Sequence, residues 1–169
     1  MLSIGIDPGW SSCGWAIVDT ASGQVLGSGS YVPKESGSIY YAVKALRDSI
    51  KESLSEVEYP DIKQVFLERF VAYRGVQTSS SEEILMFIGA LTYFFELQVV
   101  PLTLVRAIDW KPKINKWLVK TRGFSNPYDS FDKKFSLLAA KTLSGKESLN
   151  DHEADAVCLS FLYQVETKK

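Results

Sequence analysis

The residue pattern predicts an α/β fold built on a mixed five-stranded sheet, an antiparallel three-strand meander extended by two parallel strands and flanked by helices. Three observations predict it. Short apolar runs separated by tight turns fill the first 32 residues, strand and helix patterns alternate through the middle, and helical patterns alone occupy the last third.

Each element has its own reason. Leu2 to Asp7 alternates and stops at Asp7-Pro8-Gly9, Gly14 to Asp19 is apolar, and Val25 to Val32 follows the turn residues Ser22 and Gly23. Connections this short join antiparallel neighbours. Ile39, Val43, Leu46, Ile50 and Leu54 then recur at helical spacing with charges on the other faces, predicting a long amphipathic helix across the sheet that Pro60 stops. Ile62 to Glu68, IKQVFLE, is too short for a helix and follows one, which suits a parallel strand.

After a loop over 69–81 containing Gly75 and a serine run, Ser80 and Glu83 form a capping-box signature for a helix from Glu82 to Leu97. That helix is apolar nearly all round, so its second face is expected to pack on another subunit in a homodimer joined through helix 82–97. Val99 to Val105 reads as the fifth strand. Lys111 to Thr121 reads as a helix with Pro112 in its first turn, where proline is tolerated. The polar stretch Arg122 to Asp129 leads to a helix over Asp132 to Leu143. Asp151 to Tyr163 closes the chain as a helix with Ala154, Val157, Cys158, Phe161 and Leu162 inward.

With 169 residues, 46% of them hydrophobic, the chain can bury one full core, and a single domain over 1–169 is expected. The longest apolar stretch, Ile84 to Leu91, falls far short of the roughly 20 residues that span a bilayer. No basic region precedes the first apolar run, so no membrane partner is expected and the location is read as cytoplasmic. Cys13 and Cys158 lie far apart without metal-type spacing, and the single histidine excludes a His-rich zinc site; both thiols are expected reduced and buried. No Walker-type loop is present, and no small-molecule cofactor is expected.

The net charge of −1 hides a segregation. Residues 104–146 carry ten basic and three acidic side chains while the rest of the chain is acidic, as a localised polyanion-binding face would require. Arg106, Lys111, Lys113, Lys116, Lys120 and Arg122 are the candidate phosphate contacts, with Lys133 and Lys134 further on. Trp110 and Trp117 interleave with them and read as core anchors in preference to base-stacking platforms.

Three acidic clusters lie at element ends that this topology can bring together: Asp7 in GIDPG, Glu68 in FLERF, and Asp151, His152 and Asp155 in NDHEADA. Carboxylates from strand ends and a helix terminus converge without needing a rigid loop, and hard oxygen ligands suit Mg²⁺ or Mn²⁺. On the last helix, Asp151 and Asp155 stand at i and i+4 and His152 and Asp155 at i and i+3; spacing alone leaves open whether Asp151 or His152 is the ligand. Taken singly, each has a plainer reading, an Asx turn at Asp7, an ion pair at Glu68, or a helix cap at Asn150 or Asp151. Together these leave the mutual repulsion of the carboxylates unexplained, and a divalent ion explains it.

In this order, GIDPG, the strand-closing Glu68 and a C-terminal helix containing HEADA make the chain resemble the RuvC family of Holliday-junction resolvases, over its whole length. The resemblance implies a ribonuclease H-like fold, with Asp7, Glu68 and Asp155 as metal-binding catalytic residues. The family's fourth acidic residue or histidine falls on His152, with Asp151 beside it. It implies two-metal phosphodiester hydrolysis with Mg²⁺, Mn²⁺ substituting and two ions about 4 Å apart per active site. His152 would bind metal or move a proton. The loop after Glu68, with Phe70, Tyr73 and Arg74, would touch bases at the junction centre, Phe70 first and Tyr73 second as the wedge.

The implied activity is that of a crossover junction endonuclease in a bacterial cell or phage-infected host. It would cut either four-way junctions only or also other branched DNA such as forks and three-way junctions, which the residues leave open, as a homodimer whose two sites are related by a two-fold axis. The alternative is a non-catalytic or RNA-directed ribonuclease H-like protein, in which Asp7, Glu68 and Asp155 are dispensable for function or serve RNA cleavage.

Overall fold

The meander is formed by β1 (Leu2–Pro8), β2 (Cys13–Asp19) and β3 (Val25–Tyr31), paired antiparallel with Asp7 opposite Gly14 and Gly5 opposite Ala16. The structure is a computed structural model and describes residues 1–54, 61–71, 79–128 and 130–167. β4 (Ile62–Glu68) and β5 (Leu102–Val105) add in parallel, giving one five-stranded sheet in the order β3-β2-β1-β4-β5. The α/β architecture and mixed sheet expected from the residue pattern are therefore present.

Strand alternation divides the side chains between two layers. Leu2, Ile4, Ile6, Trp15, Ile17, Val65 and Leu67 face α1 (Ile39–Ser53) and α2 (Ser79–Leu97). These helices bury Leu46, Ile50, Phe87, Leu91 and Phe95 against them, the two phenylalanines contributing about 1.5–3 kcal/mol each by leaving water. Ala16, Val18 and Phe66 point the other way, toward α3 (Ala107–Arg122), α4 (Lys133–Ser144), α5 (Asp151–Ser160) and α6 (Leu162–Thr167). By the same alternation Asp7 and Glu68 lie in this second layer. Cys13 and Cys158 are buried and unpaired, as expected.

Several boundaries differ from the sequence expectation. A single 3-10 turn over Pro33–Ser36 precedes α1, whose N-cap is Ser38. α2 already includes Ser79 and Ser80, so Ser80 is inside the helix and not its cap. β5 begins only at Leu102, because Val99 has a left-handed φ of 57° and Pro101 has no N–H to give to the ladder. α3 begins at Ala107, which places Pro112 in the helix interior. Ile108, whose carbonyl would accept from position 112, and Pro112 itself are both exposed, and water can serve the carbonyl. The last helix is interrupted at Phe161, and its N-cap is Asn150, whose side chain accepts from the Glu153 backbone N–H at 2.8 Å. Tyr73 and Arg74 lie outside the described residues.

Candidate active site

Two glycines bring the C-terminal helix onto the sheet. A Cβ at Gly5 would stand 2.1 Å from the Ala156 carbonyl oxygen, and one at Gly14 would stand 2.0 Å from the His152 carbonyl oxygen. No side chain fits in either gap, so backbone meets backbone and α5 lies directly on β1 and β2. Because Gly14 is the partner of Asp7 across the ladder, this contact sets the first turn of α5 beside the Asp7 carboxylate. His152 Nδ1 lies 2.6 Å from Asp7 Oδ2.

Glu68 closes β4 next to β1, and Asp155 stands one turn beyond Asp151 on α5. Each acidic side chain is held by a different donor. The Trp110 indole N–H donates to Glu68 Oε2 at 2.9 Å, and the Lys111 ammonium lies 3.3 Å from the Asp155 carboxylate. Both donors come from the first turns of α3. Lys111, 8% exposed, is the one buried lysine among the described residues and also lies 5.1 Å from the centre of the Trp110 ring.

The electrostatics follow from crowding. Burial, then the charges of Asp7 and Asp155, push the Glu68 carboxyl up to about 8, against the hydrogen bond from Trp110. Burial also raises Asp155, with Lys111 opposing. The hydrogen bond to Asp7 raises His152 above the usual imidazole range. Asp7, Glu68 and His152 line a cleft of about 500 Å³ together with the apolar Phe70, Val71, Ile84, Ala107 and Ile108, and with Arg69 and Arg106.

The fold that carries this cleft has counterparts among solved structures. Thermus thermophilus RuvC in complex with a Holliday junction substrate superposes over 99% of this chain and 95% of that one, at 17% identity and a TM-score of 0.69. The chain has the ribonuclease H-like fold of RuvC. A second Thermus thermophilus RuvC structure covers 99% of this chain and 96% of that one at 18% identity, with a TM-score of 0.65. The yeast mitochondrial Holliday junction resolvase covers 97% and 80% at 11% identity, with a TM-score of 0.56. No family model matches the chain, and no curated protein matches it.

On this RuvC fold the sequence-predicted acidic residues Asp7, Glu68 and Asp155, together with His152, come to one place. Asp151 instead pairs with the exposed Lys133. Among the described residues no three His, Cys, Asp or Glu side chains form a ready-made metal cage, and each of the three carboxylates has a protein partner. The donor set nevertheless fits a hard divalent cation. Three carboxylates crowd together, and Asp155 Oδ1 is buried without a hydrogen bond, the Lys111 ammonium being close but poorly aligned with it.

The basic residues divide. Lys111 is inside the site, Lys113 pairs with Glu166 at 3.0 Å, and Arg106 pairs with Asp109 at 2.6 Å. Lys116, Lys120 and Arg122 are exposed along α3. Phe70, half-buried, lines the cleft. The site roles of Trp110 and Lys111 were not visible in the sequence: Trp110 reads as core, which it is, and Lys111 as one of several phosphate contacts. A lysine on a predicted helix beside a tryptophan gives no sign of which carboxylate it will meet.

Proposed function

We propose that this chain is a divalent-metal-dependent endonuclease that cuts branched DNA, four-way junctions first and forks and three-way junctions as well. The observation that carries the reading is the gathering of Asp7, Glu68 and Asp155 from two strands and a helix into one crowded cluster on a RuvC fold. Carboxylates brought this close oppose their own ionisation. A protein that keeps them gains from a bound cation.

In this reading Asp7, Glu68 and Asp155 hold Mg²⁺ or Mn²⁺, two ions per site. When bound, such ions polarise a phosphodiester, generate hydroxide from water and stabilise the leaving oxygen. His152 orients Asp7 through Nδ1, which leaves Nε2 as the atom to hold or move a proton. Asp151, engaged by Lys133, is assigned no ligand role. Arg69 and Arg106 at the cleft supply positive charge for the flanking phosphates, and the apolar lining with Phe70 offers a surface for a base.

The exposed cations of α3 extend the contact along the backbone. The affinity for junction DNA therefore falls steeply with salt. Replacing Lys116 and Lys120 together by alanine reduces the slope of log K against log salt by about 2, read by fluorescence anisotropy; an unchanged slope removes α3 from the DNA face.

Paired cuts need two sites, and a homodimer through α2 supplies them. Leu85, Met86, Tyr93 and Leu97 are exposed on α2, and a groove of about 370 Å³ between α1 and α2 is lined by Tyr40, Val43, Tyr93, Phe94 and Leu97. This apolar surface is what supports the dimer. Light scattering that finds only monomer at working concentration overturns it.

The deciding experiment is cleavage of labelled four-way, forked, three-way and linear duplex DNA with Mg²⁺ or Mn²⁺ by the native chain and by Asp7→Asn. Paired cuts in branched substrates, lost in the variant while binding persists, are the expected result. Absence of any cutting by the native chain returns the protein to the binding or RNA-directed class.

A further inference from the structure

We infer that Trp110 is a positioning residue for Glu68, its indole N–H pinning one carboxylate oxygen so that the other is presented to a divalent cation. The inference rests on the metal-dependent reading above. Among the described residues Trp110 is the hydrogen-bond donor to this carboxylate, and it engages Oε2 alone, at 2.9 Å.

The ring has no freedom to leave. Trp110 is 1% exposed and sits in the core cluster with Ile114, Leu118 and Phe66, the last being the residue two before Glu68 on the same face of β4. Strand and helix are thus locked to each other by apolar packing, and the indole nitrogen emerges from that packing at the carboxylate. Trp110 is therefore a fixed reference for an acidic side chain that ends a strand and otherwise has several rotamers.

The chemistry suits a ligand holder. An indole N–H donates and cannot accept, so it holds an ionised carboxylate without competing as a metal ligand. It is uncharged, so it repels no incoming cation. Lys111, one residue on, brings a positive charge to Asp155 and must share that carboxylate with any metal. The two neighbours on α3 thus act on two carboxylates in opposite senses. Partners of this kind, which orient a metal-bound carboxylate without touching the ion, are worth about 10- to 100-fold in metal affinity.

The test is Mn²⁺ binding to the full chain, read from the free-ion electron paramagnetic resonance signal without DNA or turnover. Four proteins are compared: native, Trp110→Phe, Glu68→Gln and the double variant. The expected result is Mn²⁺ binding about 10-fold weaker in Trp110→Phe, with no further weakening when the same change is made in the Glu68→Gln background. Replacement of Trp110 by benzothienylalanine, which keeps the bicyclic shape and loses only the N–H, gives the same weakening at an unchanged melting temperature, and it serves as the variant if phenylalanine loosens the core.

Each other outcome is decisive. Native affinity in the benzothienyl protein overturns the positioning role, as does equal weakening with and without Glu68. If Glu68→Gln weakens binding while both Trp110 variants do not, the metal site stands and this inference falls. If the native chain binds no Mn²⁺, both fall together.

Discussion

The two faces of the sheet are built on opposite principles. Toward α1 and α2 the strands present leucine, isoleucine and tryptophan, which hold the helices away by the thickness of their side chains. Toward α5 they present Gly5, Gly14 and Ala16, and the helix backbone comes down onto the strand backbone. The first face depends on the bulk fit of many interchangeable contacts, the second on a few positions where nothing else fits. Asp7, Glu68, His152 and Asp155 all belong to the second face. The candidate catalytic residues sit where the fold leaves the least room for error.

The sharpest way to test this contrast is at the carboxylates. Asp7→Asn is expected to lower cleavage of a four-way junction by about 10³-fold while leaving the melting temperature of the metal-free protein unlowered, since it removes one of the crowded charges. A variant cutting within a few-fold of native breaks the link between this face and catalysis.

Next in size is the backbone contact itself. Gly14→Ala puts a methyl group into the His152 carbonyl and is expected to cost about 3 kcal/mol by denaturant unfolding, with loss of the Asp7–His152 contact. On the other face Ile4→Val is expected to cost only about 1 kcal/mol and to leave junction cutting unchanged. Equal costs at the two positions would erase the distinction between the faces.

The pH dependence of stability is a gentler probe. Glu68 titrates near 8 in the folded chain against an ordinary value of 4.5, so between these values the folded state holds the proton that the unfolded state has lost. Stability of the metal-free protein therefore falls as pH rises through this window. Asp155 and His152, both raised, act in the same sense. Added Mg²⁺ is expected to recover more melting temperature at pH 8 than at pH 6. A melting temperature that climbs between pH 5 and pH 8 without metal contradicts the crowded-carboxylate account.

The smallest effect on folding belongs to the outer side of the first layer. Leu85→Ser, at a 55% exposed position, is expected to change the stability of the isolated subunit by no more than about 0.5 kcal/mol while shifting light scattering from dimer toward monomer. A dimer unaffected by it places the interface elsewhere than α2.

Much of this arrangement was legible in the residues. Period-two alternation in Leu2 to Asp7, and the shortness of the run Ile62 to Glu68 after a helix, identify strands that end on a carboxylate, and the 3.6 period around Ala154 and Val157 puts Asp155 on a helix. Local chemistry read less well at the edges. The serine run before α2 suggested a cap where the helix had already begun, and Pro112 suggested a helix start at Lys111 where the helix begins four residues earlier, because burial of Trp110 and Ile114 outweighs the bond that proline forfeits.

The sequence by itself determined the strand and helix order, the mixed sheet and the acidic residues that the sheet gathers, because periodicity and turn chemistry act over a few residues and can be read there. Only the tertiary structure decided that His152 rather than Asp151 meets Asp7, that Trp110 serves Glu68, and that Lys111 is buried against Asp155. Each of those contacts joins residues more than 40 positions apart. Each depends on the rotation and height at which a helix settles on the sheet, set here by the absent side chains of Gly5 and Gly14 and by the packing of Trp110.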